Sequence, residues 1–186
     1  NQSDRVIYAG SHGFSGEYQG STFSLSVVPV AKVNGSMQRD YWYSTQRKFS
    51  RLDSPQAIGE KAAQRALRRL GARKVKTREV PVIFEPETAA SLLRNLSSAL
   101  SGYSLYKGAS FLVGKLGNKI GSEFLTVIDD GTIPAALGSK PFDGEGLPTR
   151  KKVVVERGVL QSYLLDTYSG RKLGLASTGN ASRSDG

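Results

Sequence analysis

The sequence predicts an α+β fold: an antiparallel β-meander plus a basic helix, then a strand–helix unit leading into a strand-rich domain. Three observations predict it. Thr22–Val27 alternates apolar and polar residues, and Asn34-Gly35 follows as a hairpin signal. Two stretches, 54–71 and 85–101, carry apolar residues at helical spacing with start and stop residues at their ends. After residue 103 the pattern returns to short apolar runs punctuated by glycine. The charged segment Ala72–Glu79 is the candidate boundary between two domains, 1–79 and 80–186.

Val6–Tyr8 reads as a short strand closed by Gly10, and Gly13, Gly16 and Gly20 as a flexible connection. Phe23, Leu25 and Val27 share one face of the next strand. Both residues of Asn34-Gly35 accept positive φ, so Met37–Tyr43, rich in aromatic residues, is expected to return as one strand. Ser54 caps the first helix and Pro55 suits its first turn. Its apolar stripe is Ile58, Ala62, Ala63, Ala66, Leu67 and Leu70; Lys61, Arg65, Arg68 and Arg69 are expected to face water, and Gly71 to end it. Pro81–Phe84 reads as a strand. Glu85 and Glu87 open the second helix near its positive dipole end, with Ala89, Ala90, Leu92, Leu93, Leu96, Ala99 and Leu100 burying one side and Ser101-Gly102 stopping it. Phe124–Ile128 is a strand ended by the turn Asp129-Asp130-Gly131, and residues 138–150 are a long polar loop. Val153–Val155 and Val159–Leu165 form a hairpin around Arg157-Gly158. Asp166 caps a short helix that ends at Gly174.

Composition narrows the chemistry. At 38% hydrophobic and 23% charged residues the chain is neither a disordered tail nor a membrane protein, and no run approaches the ~18 apolar residues of a membrane span. With no Cys and one His, disulfides, thiolate chemistry and any site needing two imidazoles are excluded within this chain. The net charge of +10 is concentrated in residues 47–78, where Lys61, Arg65, Arg68, Arg69, Arg73, Lys74 and five further cations face only Asp53 and Glu60. Such a stretch attracts anionic partners, nucleic acid included. The aromatic residues do not interleave with these cations as a stacking platform requires, so a solvated helix face is the plainer reading.

The sequence contains no HExxH, P-loop or nucleophile elbow. His12 lies in a glycine-rich segment and reads as a turn residue rather than a catalyst. Asp143 and Glu145 flank Gly144, so they could bind a divalent cation or act as an acid–base pair. The plainer alternative is a polar turn in which they accept backbone N–H groups or pair with Arg150. The sequons at Asn34, Asn95 and Asn180 carry no weight without a sign of secretion.

The runs GSKPFDGEGLPTR and VVERGVLQSYLLDTYSGRKLGLASTGNA resemble the TldD/PmbA family, the modulators of DNA gyrase. SPQAIGEKAAQRALRRLGARK, PVIFEPETAASLLRNLSSALSG and SLYKGASFLVGKLGNKI agree, in order, so the resemblance covers nearly the whole chain. It implies a cytoplasmic metallopeptidase assembled from two kinds of subunit and acting on unfolded or precursor peptides. In the TldD kind, a zinc motif HExxxH stands on the helix after the PVIFEPETA-like segment. Here that helix presents Ser91, Leu92, Leu93, Asn95 and Leu96, none of them a His or Glu. The resemblance is therefore to the PmbA/TldE kind, which implies a non-catalytic subunit that binds no cofactor itself, a TldD-like partner that holds the zinc, and a peptide substrate at a shared chamber. Where the family usually has a His after STG, this chain has Asn180. Residues 1–79 would be the latter part of the N-terminal α/β domain, and 80–186 the first part of a longer C-terminal domain. A basic module that binds nucleic acid weakly, or associates with gyrase, is the alternative.

Overall fold

A computed structural model describes residues 1–183, with mixed helices and antiparallel sheets, as the α+β reading requires. The chain divides into two compact units. One comprises Asn1–Val6, Tyr18–Pro81 and Ala135–Leu137; the other comprises Ile7–Glu17, Val82–Pro134 and Gly138 to the C-terminus.

The strands of the first part are β1 (Gln2–Ala9), β2 (Ser15–Val27), β3 (Val30–Val33), β4 (Ser36–Arg39) and β5 (Trp42–Gln46). β2 lies between β1 and β5, while β3 and β4 form a separate two-stranded ribbon. The Asn34-Gly35 turn is present, with φ of 46° and 80°, the left-handed pair a two-residue hairpin needs. The meander departs from expectation at both glycine and aromatic positions. Gly16 and Gly20 lie inside β2; only Gly13, at φ 86°, sits in a turn. Met37–Tyr43 is two strands, not one: β4 pairs with β3, β5 pairs with β2, and the chain breaks between them where the Asp40 carboxylate accepts the Tyr41 N–H at 2.8 Å.

Helix α1 (Pro55–Arg68) is capped by Ser54, whose Oγ accepts the Ala57 N–H at 3.1 Å. It buries Ile58, Ala62 and Ala66 and packs on β5 and the ribbon, whereas Leu67, expected in the buried stripe, is exposed. Arg65 does not simply face water. Its guanidinium and the Lys61 ammonium lie over the Trp42 ring at 5.2 and 4.9 Å, and its Nε approaches Asp40 at 3.5 Å. The expectation that aromatic residues avoid these cations fails because β5 places Trp42 under α1.

Pro81–Phe84 is not a strand. Pro81 has no N–H to donate, and no neighbouring strand pairs with the segment. Helix α2 (Pro86–Leu100) buries only Leu100 fully; Leu96 and Ala99 are partly buried, while Leu92 and Leu93, expected inside, are exposed. Helix α2 stops at the extended Ser101, as expected, and the chain then enters a separate short helix, α3 (Gly102–Tyr106), capped by Ser101.

The second unit is organised around a three-stranded antiparallel sheet, β6 (Val127–Asp130), β7 (Lys151–Glu156) and β8 (Val159–Leu160), in that order. β6 starts three residues later than Phe124 and takes in both aspartates. The hairpin turns at Arg157-Gly158 as expected, with φ of 46° and 80°. It is short, however: past Leu160 the chain leaves the ladder, and the Leu164 N–H turns to the Leu100 carbonyl at 3.0 Å. Leu100, Leu105, Leu112, Val154, Val155, Leu160, Tyr163 and Leu165 form the core. Within it the Tyr163 hydroxyl donates to the Leu112 carbonyl at 2.7 Å and accepts the Lys115 N–H at 3.2 Å. Helix α4 (Thr167–Lys172) opens with a capping box between Asp166 and Ser169 and is followed by Gly174 at φ 69°. Residue 102 must be glycine: a Cβ there would lie 1.9 Å from Ser169 Oγ, so its absence lets α3 meet α4.

Candidate functional site

The segment Phe142–Arg150 forms a closed loop in the second unit. Its ends are tied by a bridge between Phe142 and Pro148 and by the Asp143 N–H donating to the Leu147 carbonyl at 2.8 Å. Asp143 is 3% exposed, and its carboxylate is fully engaged by backbone donors. Oδ1 accepts the N–H groups of Glu145 and Leu147 at 2.9 and 3.0 Å, and Oδ2 accepts that of Ala181 at 3.0 Å. The Gly144 N–H donates to the Ala181 carbonyl at 2.9 Å, so the loop is stitched to the segment that follows Thr178. Glu145 reaches elsewhere: its Oε2 accepts the Thr167 N–H at 2.9 Å, at the start of α4, where a negative charge is favoured. The two carboxylates therefore serve different backbone segments and do not converge on one point. Gly146, at φ 81°, lies against Tyr8 and Phe14, whose rings meet that of Phe142 at 5.3 to 6.3 Å.

Arg150 pairs with neither carboxylate. It lines a small polar cavity of about 150 Å³ with Lys140, Lys152, Asp129, Thr149 and residues 179–182. Asp129 Oδ2 meets Lys152 Nζ at 2.7 Å and accepts from Asn180 Nδ2 at 2.9 Å. Sequence reading misses this grouping, because its members are spread over more than fifty positions and Asp129 reads as a turn residue. Asp130 is the residue that makes the turn. Its Oδ1 accepts from the Thr132 hydroxyl and N–H, and these bonds hold its carboxyl below the ordinary carboxylate range.

On α2, Ser91 Oγ donates to the Thr88 carbonyl at 2.6 Å and Asn95 Nδ2 to that of Ser91 at 3.0 Å, while Leu92, Leu93 and Leu96 are apolar. Ser91 and Asn95 are thus turned onto the helix's own backbone. Among the described residues no three His, Cys, Asp or Glu side chains stand together as a metal needs, and the lone His12 is exposed in a turn. Among the described residues no donor set that fits a zinc ion stands together.

The basic residues belong to the first unit. Arg69 approaches Asp40 Oδ2 at 3.7 Å, whereas Arg65 approaches Oδ1. The Tyr41 N–H, the largest influence, holds the Asp40 carboxyl below its usual value; burial opposes it, and the Arg65 and Arg69 guanidinium groups add to the lowering. Arg68, Arg73 and Lys74 are exposed, the last two in the segment after α1 that carries no regular structure. Among the described residues no helix is long and apolar enough to cross a membrane.

Residues 1–70 match the central domain, and residues 77–186 the C-terminal domain, of the PmbA/TldA metallopeptidases. The chain belongs to this PmbA/TldD metallopeptidase family. It is 39% identical over 175 residues to a metalloprotease PmbA homologue of Haemophilus influenzae, an alignment that covers 94% of this chain and 39% of that protein. Its fold is that of a crystal structure of a candidate modulator of DNA gyrase from Bacteroides thetaiotaomicron, with a TM-score of 0.90 and 34% identity over 97% of this chain and 41% of that one. The crystal structure of TldE from Thermococcus kodakarensis is similar too, with a TM-score of 0.87 and 32% identity over 98% of this chain and 41% of the other. The chain spans about two fifths of the length of these relatives.

Proposed function

We propose that this chain is part of a non-catalytic PmbA/TldE-like subunit, which assembles with a TldD-like subunit into a metallopeptidase for unfolded or precursor peptides. The observation that carries the reading is the composition of α2. At the positions where the resemblance expects HExxxH it has Ser91, Leu92, Leu93, Asn95 and Leu96, and the two polar ones, Ser91 and Asn95, are turned onto the helix's own backbone. Catalytic zinc needs about three protein ligands and an open position for water. One His and no Cys leave the carboxylates as the remaining strong ligands, and the best-placed of them, Asp143, has both oxygens engaged by backbone donors. Zinc is accordingly assigned to the TldD-like partner, and this subunit's share is to complete a chamber in which the peptide is held. Co-expression with a TldD-like chain tests this: the two should copurify, and only the pair should cleave an unstructured peptide. Cleavage by this chain alone, with bound zinc, rejects the reading.

A basic module for nucleic acid is the second reading, supported by the exposed cations Arg68, Arg73 and Lys74. Against it, Lys61 and Arg65 are spent on Trp42, and Arg65 and Arg69 on Asp40. DNA binding that weakens steeply with salt supports this alternative, and no binding at low salt removes it.

A further inference from the structure

The cavity beside Arg150 has a chemistry that neither the family nor the loop explains. It is concave, holds about 150 Å³, and is walled by Gly131, Gly138, Thr149 and residues 179–182 besides its charged members. Its walls are fixed from behind. The Lys140 N–H donates to the Gly131 carbonyl at 3.1 Å, and the Lys140 carbonyl accepts the Thr149 hydroxyl. Asn180 is held at both ends of its amide, its Oδ1 accepting from Thr178 Oγ1 at 2.8 Å and its Nδ2 donating to Asp129. Three cations, Lys140, Arg150 and Lys152, stand around this space against one carboxylate, Asp129, which Lys152 already neutralises at 2.7 Å. Among the described residues neither Lys140 nor Arg150 has a carboxylate partner. Lys140 is half-buried and Arg150 exposed at its rim, and without a carboxylate partner among the described residues the two give this polar space a positive potential that attracts a small anion. The volume suits one small oxyanion rather than a nucleic-acid strand.

We propose that this cavity is an oxyanion site that takes a single carboxylate or phosphate group between Lys140 and Arg150. The shared chemistry is a compact anion with several acceptor oxygens. A free peptide C-terminus and a phosphate are its two sources. The inference does not depend on whether the chain is a non-catalytic subunit.

The test is an amide NMR titration of the full chain at constant ionic strength with three probes: inorganic phosphate, N-acetyl-alanyl-alanine, and the same dipeptide as its C-terminal amide. We expect saturable shifts at Gly131, Gly179 and Ser182 for phosphate, for the dipeptide acid, or for both, with millimolar dissociation constants, and none for the amide. Saturation by phosphate alone assigns a phosphorylated ligand; saturation by the acid alone assigns a chain terminus. The double variant Lys140→Gln with Arg150→Gln should weaken binding about tenfold or more at unchanged thermal stability. R150Q alone, at an exposed residue, supplies the same comparison should the double variant fold poorly. Shifts that stay linear to about 50 mM for both anions, or equal binding by the variants, overturn the proposal.

Discussion

Removing the Asp143 carboxylate should unfasten the loop 142–150 from the segment after Thr178. The wild-type carboxylate accepts three backbone N–H groups, all within 3.0 Å, at a site that is 3% exposed. Hydrogen bonds to a charged group contribute ~1.5–3 kcal/mol each, and a buried donor left unpaired costs ~1–3 kcal/mol. Water entering the space of a truncated side chain recovers part of this, so Asp143→Ala should destabilise the second unit by about 3–6 kcal/mol. At roughly 2–4 °C per kcal/mol for a chain of this size, the melting temperature should fall by about 6–24 °C. Asp143→Asn is the finer probe. Its carbonyl oxygen can still serve Glu145 and Leu147, but its NH₂ then faces the Ala181 N–H, donor against donor, for about 1–3 kcal/mol. The assay is thermal unfolding by circular dichroism together with hydrogen exchange at the Glu145, Leu147 and Ala181 amides. Trp42, the sole tryptophan, lies in the other unit and serves as a control by fluorescence. A D143A protein that melts within about 2 °C of wild type, with those amides still protected, refutes the reasoning and returns Asp143 to the list of chemically free carboxylates.

Asp40 gives a pH signature. Its carboxyl is held down chiefly by the Tyr41 N–H and then by Arg65 and Arg69, so it stabilises the fold above the unfolded value of about 3.9 and loses that contribution as pH falls through the lower folded value. Acid unfolding followed by Trp42 fluorescence should therefore be less steep in Asp40→Asn. Gly146→Ala places a methyl 2.7 Å from Phe14 and Tyr8 at a φ of 81°, and should cost about 1–3 kcal/mol in chemical denaturation. Gly102→Ala drives a Cβ to 1.9 Å from Ser169 Oγ and 2.4 Å from its Cβ and should cost about 2 kcal/mol or more in chemical denaturation.

What the sequence made legible was what adjacent residues decide. The Asn34-Gly35 and Arg157-Gly158 turns, the Ser54 and Asp166 caps and the amphipathic face of α1 follow from local chemistry, and the structure has all of them. What it concealed depends on partners distant in the chain. Met37–Tyr43 has strand propensity throughout, but β3 and β2 each claim a different half of it. Pro81–Phe84 has the composition of a strand and no neighbour to pair with, and Ile83 is left 98% exposed. Lys61 and Arg65 look solvated until β5 supplies Trp42. At the site, the proximity of Asp143 and Glu145 was visible but their divergence was not, since it is decided by Ala181 and Thr167. The cavity around Arg150 had no local signal at all.

The most direct measurement is the metal content of the purified chain after equilibrium dialysis against zinc, alone and together with a TldD-like chain. The donor set predicts well under one tightly bound zinc per chain in isolation and about one per pair in the assembly, with peptide cleavage confined to the pair. One zinc held tightly by this polypeptide on its own would contradict the account.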